Sequence, residues 1–256
     1  MDELIIDMFN DALHLMIKSA DGSYTAYSKE YDEHYHSTKD GALFESLKKH
    51  VEPAFAVKNS SKELAVLDIC FGLGFNTLAL LYHRQKNAPD VKLRIFSPEL
   101  DGSLVAGLLD FSYPKEFEEF LPVIAALVAN GVYEDATTYI ELFLGDARAY
   151  VKNFAPKTFD IVFQDAFSPA SNPVLWTREY FADIKNIIKD DGVLTTYSIA
   201  LPTRLALYEN GFGLFVNSGD GFRDATIASP SPLDGFERVD MEHKIKCNPL
   251  VCSLRD

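Results

Sequence analysis

The stretch Leu67-Asp68-Ile69-Cys70-Phe71-Gly72-Leu73-Gly74-Phe75-Asn76 decides how this chain is read. Apolar residues run directly into a glycine turn, and a helical pattern beginning near Thr77 follows. Gly72 and Gly74 let the backbone approach a ligand closely where side chains would collide. The spacing fails the dinucleotide pattern, because Asn76 stands two residues after Gly74 and the third glycine is missing. A tight connection between strand and helix gives the same local pattern, so its meaning depends on the rest of the chain.

On either side, short apolar runs alternate with longer helical patterns. Leu64–Ile69, Leu93–Phe96, Tyr139–Leu144, Phe159–Phe163 and Val193–Tyr197 read as strands. Such alternation predicts parallel strands joined by right-handed crossovers, hence an α/β fold with a doubly wound, mostly parallel sheet. Leu13–Ile17 and Tyr24–Tyr27 flank Ala20-Asp21-Gly22 as an N-terminal hairpin, and Phe44, Leu47, Val51 and Phe55 place a helix over Leu43–Val57. Near the end, Leu214–Asn217 and Ala225–Ala228 flank Gly219-Asp220-Gly221 as a closing hairpin. The expected division is a cap over residues 1–60, a core over 61–229 and a Pro-containing tail over 230–256 packed on that core.

A chain of 256 residues with 47% hydrophobic content buries a full core. No run of about 18 apolar residues occurs, and acidic Asp2 and Glu3 replace a basic leader, so neither membrane span nor secretory signal is expected. Cys70, Cys247 and Cys252 form neither a disulfide framework nor a zinc ribbon, which suits a reducing cytoplasm. A net charge of −14 keeps the surface solvated and disfavours broad contact with phosphates, whose neutralisation needs clustered Lys and Arg. Any nucleic-acid substrate must then be held by a local basic patch, by base contacts or with a partner's help.

The acids that follow the strands carry the chemistry. Glu99 lies just past the second strand, where a carboxylate takes both hydroxyls of a ribose; Asp101 competes for that role. Gly145-Asp146-Ala147 follows the third strand, where a carboxylate accepts the exocyclic amine of adenine. Singly, each acid also reads as a helix N-cap. Jointly with the glycine turn they place ligands for carboxylate, ribose and adenine along one sheet edge, which points to S-adenosyl-L-methionine. The expected cofactor contacts are Gly72, Gly74, Asn76, Glu99, Asp146 and Ala147. Past the fourth strand, Gln164-Asp165-Ala166-Phe167-Ser168-Pro169-Ala170-Ser171-Asn172-Pro173 faces the reactive methyl; two prolines stiffen it, and Asp165 is its only acid. Trp176 reads as a packing anchor for the next helix.

At these motifs the chain resembles the bacterial methyltransferase family that completes 5-methylaminomethyl-2-thiouridine at the tRNA wobble position. The matching residues are Phe71–Asn76, Glu99, Gly145-Asp146-Ala147-Arg148, Asp165–Thr177, Thr196-Tyr197-Ser198, Gly211-Phe212, and Ser28–Tyr35 leading to Gly41. The resemblance spans roughly residues 25–228. It implies a class I, Rossmann-like methyltransferase that N-methylates the 5-aminomethyl group of a tRNA uridine, with a partner enzyme supplying the aminomethyl intermediate. Many family members carry a fused flavin-dependent oxidase domain, for which 256 residues leave no room. The family often has Leu-Asp-Gly-Phe-Ala-Pro where this chain has Gln164–Pro169, and its basic segment is reduced here to Arg223 beside Asp224.

Methyl transfer to an amine is an in-line displacement, so the site must align the reactants and exclude water. An alkylamine is largely protonated at neutral pH and sheds a proton before its lone pair attacks. Asp165 is the expected catalytic acceptor. Tyr31, Tyr35, Phe167, Pro169 and Arg223 are expected to bind substrate, with Tyr197 as a further aromatic wall. Arg148, Arg178, Arg204 and Arg223 are the candidate phosphate contacts. His34 and His36 share one strand face, yet no third ligand accompanies them and no metal site is expected. Alternative readings are an aminopropyl- or methyltransferase acting on a small amine, and a non-catalytic nucleoside-binding scaffold of a tRNA-modification complex.

Overall fold

The structure, a computed structural model, describes Phe9 and residues 12–256. Strands β1 (His14–Lys18) and β2 (Tyr24–Ser28) pair antiparallel, and β3 (Glu33–His34) adds to β2 to close a three-stranded sheet. The hairpin turn is fixed by Asp21, whose Oδ1 accepts from the Ser23 amide at 3.0 Å, while Gly22 takes φ 88°. Helices α1 (Ala42–Ser46) and α2 (Glu52–Val57) follow, joined by a π-helical turn over Leu47–Val51. Sequence periodicity predicts one helix here. The wider turn changes the phase of the residues it carries, and it holds buried Lys49 and His50.

The main sheet has nine strands in the order β12-β10-β11-β9-β8-β4-β5-β7-β6. Its parallel centre is β4 (Glu63–Ile69), β5 (Lys92–Glu99), β7 (Thr138–Leu144), β8 (Phe159–Gln164) and β9 (Ile188–Thr196). The antiparallel members are β6 (Val132–Glu134), β10 (Gly213–Asn217), β11 (Ala225–Ser229) and β12 (Glu237–Arg238). From β4 the chain winds outward through β5 to β7, then returns to β8 and winds the other way. The switch point therefore lies between β4 and β8, where such sheets open a crevice at their carboxyl ends.

Successive residues along the central strands face opposite layers, which explains their continuous apolar runs. Val66, Ile161 and Val193 pack with one core; their neighbours Leu67, Val162 and Leu194 pack with the other. The first core is completed by α3 (Phe75–Asn87), α4 (Gly102–Gly107) and α5 (Leu121–Asn130), the second by α6 (Ala147–Val151), α7 (Arg178–Ile187) and α8 (Leu201–Glu209).

Two segments depart from the sequence reading. The second parallel strand runs to Glu99 instead of ending at Phe96, so Glu99 is its last residue. Pro98 is tolerated because β4 pairs with β5 only as far as Phe96, leaving no partner on that side that needs a donor. The segment after Ser229 also does more than cover the surface: β12 pairs with β10, and α9 (Met241–Cys247) buries Met241 in the second core. No helix among the described residues is long and apolar enough to cross a membrane.

Candidate active site

A cavity of about 1420 Å³ opens at the carboxyl ends of the strands, beside the switch point. The glycine turn forms its floor. Cys70, Gly72 and Gly74 take φ of 66°, 54° and 77°, so the turn coils through left-handed backbone. A Cβ on Gly74 would stand 2.8 Å from the Phe71 ring, and one on Gly72 would stand 3.2 Å from the Tyr35 ring. Glycine is needed at both positions for conformation and for space.

Glu99 braces this turn. Its Oε2 accepts from the Gly72 amide at 2.8 Å and its Oε1 from the Asp101 amide at 2.9 Å. Burial pushes the carboxyl above the ordinary glutamate value, and the amides of Asp101, Gly72 and Leu100 offset only part of that rise. Asp101 faces the cavity rim but spends its Oδ1 on capping α4, through the amides of Ser103 and Leu104, while Oδ2 stands 3.1 Å from His14 Nε2. Asp146 caps α6 through the Ala149 amide at 2.9 Å and lines the cavity with Gly145 and Ala147. It is a cap and a cavity residue at once.

Asp165 leaves β8 across the switch point. Asn76 Nδ2 donates to its Oδ2 at 2.8 Å, so Asn76 is committed to the carboxylate while it lines the cavity. His50 Nε2, fully buried, stands 3.4 Å from Asp165 Oδ1. Burial acts to raise the Asp165 carboxyl, but the charge and contact of His50, the charge of His36 and the Asn76 bond outweigh it and hold the group well below the ordinary range. Deeper still, Asp68 accepts from Thr77 Oγ1 at 2.8 Å and leaves Oδ1 without a partner; burial pushes its carboxyl up to about 7.

The loop after Asp165 is anchored by hydrogen bonds. Tyr197 donates to the Ala166 carbonyl at 3.0 Å, Trp176 Nε1 to the Phe167 carbonyl at 2.8 Å, and Gln164 to the Leu175 carbonyl at 3.0 Å. Trp176 is fully buried, a packing anchor. The cap closes over this loop: Tyr31 stacks on Phe167 with centroids 4.6 Å apart, Tyr35 tilts against it at 4.9 Å, and Glu33 accepts from the Ser168 amide and the Ser171 hydroxyl, both at 2.9 Å, and from the Ser168 hydroxyl. Pro169 flanks the loop without lining the cavity, whereas Arg223 lines it.

The other three arginines are engaged elsewhere. Arg148 makes a bidentate pair with Asp256 at 2.5 and 2.7 Å, Arg178 stands 3.5 Å from Glu209, and half-buried Arg204 donates to Thr226 at 3.0 Å. His34 is exposed beside Tyr27, while His36 is buried with its ring edge against Phe75. Among the described residues no three His, Cys, Asp or Glu side chains group to hold a metal ion. Glu33 and His50 are the site residues that sequence reasoning missed. Glu33 carries a faint signal as an acid inside a Tyr- and His-rich stretch; His50 carries none, because the π-helical turn that directs it leaves no mark on the apolar periodicity.

Residues 113–229 match the model of a family described as S-adenosyl-L-methionine-dependent methyltransferase. An uncharacterized protein of Methanocaldococcus jannaschii is 34% identical over 95% of this chain and 67% of its own length. The tRNA 5-methylaminomethyl-2-thiouridine biosynthesis bifunctional protein MnmC of an Azoarcus species is 31% identical over 73% of the chain, which spans 31% of that relative's length. The crystal structure of MnmC2 from Aquifex aeolicus superposes with a TM-score of 0.83 at 31% identity, over 96% of this chain and 80% of that one. With this fold and this cavity, the chain uses S-adenosyl-L-methionine as its cofactor and belongs to the MnmC-like family of S-adenosyl-L-methionine-dependent methyltransferases.

Proposed function

We propose that the chain N-methylates the 5-aminomethyl group of the wobble uridine in tRNA. The observation that carries this reading is the position of the Asp165 carboxylate at the switch point, in a cavity that Tyr31, Tyr35, Phe167 and Tyr197 also line. An ammonium group on a flat, apolar base matches that pairing of charge and rings. The names of the MnmC relatives point to the same nucleoside.

The residues present fit the cofactor. Gly72 and Gly74 leave room for its amino-acid end, Glu99 offers carboxylate oxygen to the ribose, and Asp146 with Ala147 lies where the adenine edge is expected. Once bound, S-adenosyl-L-methionine supplies an electrophilic methyl group on a sulfonium. The chain's own work is to fix the amine in line and to keep water out, for which the cap and the Trp176-anchored loop form the walls. Asp165 first holds the substrate ammonium and then takes one of its protons.

In this reading residues 1–60 act as the cap, residues 61–229 as the catalytic core and residues 230–256 as an outer support. The work belongs to the cytoplasm, and a partner enzyme supplies the aminomethyl uridine. Mass spectrometry of wobble nucleosides from cells lacking the chain, paired with turnover of the purified chain on that hypomodified tRNA, tests it. Accumulation of the unmethylated aminomethyl nucleoside, cleared by the purified chain, is the expected result. An unchanged nucleoside profile removes tRNA as the substrate.

A further inference from the structure

Lys49 is a buried cation in the wall of the cavity. It stands on the π-helical turn Leu47–Val51 and lines the cavity together with Glu45 of α1, whose Oε1 accepts from its Nζ at 2.5 Å. A Lys–Glu pair four residues apart on a helix ordinarily lies in solvent, where it adds little. Here the two side chains are only 8% and 13% exposed, a desolvation that good hydrogen bonding must repay. Glu45 meets that condition, because its Oε2 accepts from the Ser37 amide at 2.8 Å. Lys49 meets it only in part: an ammonium has three donors, and Glu45 is the one acceptor bonded to Nζ among the described residues. The other cations on the lining, Lys39 and Arg223, are exposed.

We propose that Lys49 determines substrate specificity by donating to a carbonyl oxygen of the base, the one beside the ring carbon that bears the aminomethyl group. This inference rests on the wobble-uridine reading above. In a 5-aminomethyl uridine the amine and that carbonyl are neighbours on the ring, so one substrate edge presents an ammonium and an acceptor together. Asp165 takes the ammonium and Lys49 the carbonyl. The two positions share one part of the cavity, as the His36 ring on the same lining shows. Burial holds its imidazole below the ordinary value, the charges of Asp165 and Glu45 oppose that, and the charge of Lys49 adds to it.

Glu45 balances the Lys49 charge, so the donor does not repel an ammonium held by Asp165. With one oxygen on Lys49 and the other on the Ser37 amide, Glu45 does not compete for that ammonium either. A polyamine offers only donors once its amines are protonated. It would leave the Lys49 N–H groups facing no acceptor after water is expelled, the kind of mismatch that discriminates strongly between substrates. A phosphate oxygen is the poorer match. Backbone phosphates stay at the surface of a folded RNA, where exposed Lys39 and Arg223 can meet them, whereas an unpaired base can be splayed into a cavity.

The test replaces the pair without stranding a charge. Lys49→Met with Glu45→Gln deletes the donor, Lys49→Gln with Glu45→Gln retains a neutral one, and calorimetric melts verify that both fold. On aminomethyl-uridine tRNA, kcat/KM should fall about 10- to 100-fold in the Met variant, the effect of one hydrogen bond from a charged donor, and recover in part in the Gln variant. Affinity for S-adenosyl-L-methionine should stay within about twofold, and the slope of log tRNA affinity against log salt should not change. An unchanged kcat/KM, or a loss that the Gln variant does not relieve, overturns the proposal. A slope lower by about one overturns it in favour of a phosphate contact. The second arm leaves tRNA out: calorimetry of the parent and both variants, loaded with S-adenosyl-L-homocysteine, uses free 5-aminomethyluridine and putrescine as probes. The parent should bind the nucleoside in preference to putrescine and more tightly than the Met variant does; a preference for putrescine overturns the proposal. Lys49-dependent nucleoside binding without turnover of tRNA keeps the subsite and rejects tRNA as the substrate. Equal turnover of tRNA by parent and variants keeps the nucleoside reading and rejects the subsite. Nucleoside binding that is absent or indifferent to Lys49, alongside no turnover of tRNA, rejects both.

Discussion

Glu33 accepts a hydrogen bond from the backbone amide of Ser168 at 2.9 Å, tying the last strand of the N-terminal sheet to the loop that carries Asp165. The Ser171 hydroxyl adds a second bond at 2.9 Å to the same carboxylate. Each bond to an ionised carboxylate is worth about 1.5–3 kcal/mol when shielded from water and less when partly exposed, as here. Glu33→Ala should therefore loosen the cap from the loop, lowering kcat/KM on tRNA about tenfold while cofactor affinity stays nearly constant. Steady-state kinetics with calorimetry on the same variant checks this. An equal loss of cofactor affinity would assign the latch to the cofactor pocket instead.

If Glu99 is the ribose ligand, cofactor binding depends on pH. Its carboxylate already accepts from two backbone amides, and the ribose hydroxyls need the remaining acceptor capacity. Glu99→Ala should weaken S-adenosyl-L-methionine binding roughly 10- to 100-fold. Because burial raises this carboxyl above its ordinary value, affinity should be full at higher pH and decline as pH falls through that raised value, sooner than an exposed glutamate would allow. Calorimetric titrations across pH read both effects. A flat affinity from mildly acidic to neutral pH would count against Glu99 as the ribose ligand.

Asp165→Asn keeps shape and the Asn76 contact but removes the charge and the ability to accept a proton. Turnover should drop about 100-fold or more, with cofactor affinity unchanged within about twofold. A variant that loses cofactor binding in proportion to activity would move Asp165 into the cofactor pocket.

Asp68 sets a stability dependence of its own. Its carboxyl is raised from 3.8 to about 7 in the folded chain, so the native state keeps a proton that the unfolded state loses. The stabilisation this provides is complete below pH 3.8 and is lost as pH rises through about 7. Asp68→Asn stays neutral throughout and still accepts from Thr77. Its melting temperature relative to the parent should rise between pH 5 and pH 8. A constant difference over that interval, measured by calorimetric melts, would show that Asp68 is ionised in the folded chain.

The fold was legible because burial on both faces writes itself into the sequence as apolar runs separated by helical periods. Val66-Leu67 and Val193-Leu194 feed opposite cores, as a strand buried on both faces requires. The glycine turn and the acids after successive strands were legible for a similar reason, since each sits at a fixed offset from a strand end. Residues that reach the site from elsewhere were hidden. His50 meets Asp165 across more than a hundred positions of chain, and Glu33 meets Ser168 across 135. Their placement is decided by the π-helical turn and by the docking of the small sheet, neither of which has a local pattern. The extension of β5 through Pro98 was obscured because proline normally signals a strand's end, a rule suspended where no partner requires its missing donor.

Of the four candidate arginines, Arg223 is the one that lines the cavity, with Lys39 as a further cation on the same lining, and it is the arginine expected to meet tRNA phosphate if this acidic chain grips tRNA directly. Of the other three, Arg148 is committed to Asp256, Arg178 faces Glu209 and Arg204 is half-buried against Thr226. Arg223 lies on the cavity rim with Asp224 beside it. Each lost phosphate contact lowers the slope of log affinity against log salt by about one unit for a duplex and somewhat less for a single strand. Arg223→Ala should therefore reduce that slope by about one. Arg148→Ala and Arg178→Ala should leave it unchanged, although Arg148→Ala releases the Asp256 carboxylate and lowers the melting temperature slightly, as expected for a partly exposed pair. Affinity for tRNA measured over a salt series for the parent and the three variants reads the difference. A slope that falls equally in all three would mean that the intramolecular pairs open to receive phosphate. No binding at any salt, alongside tight cofactor binding, would mean that a partner presents the tRNA or that the amine acceptor is a small molecule.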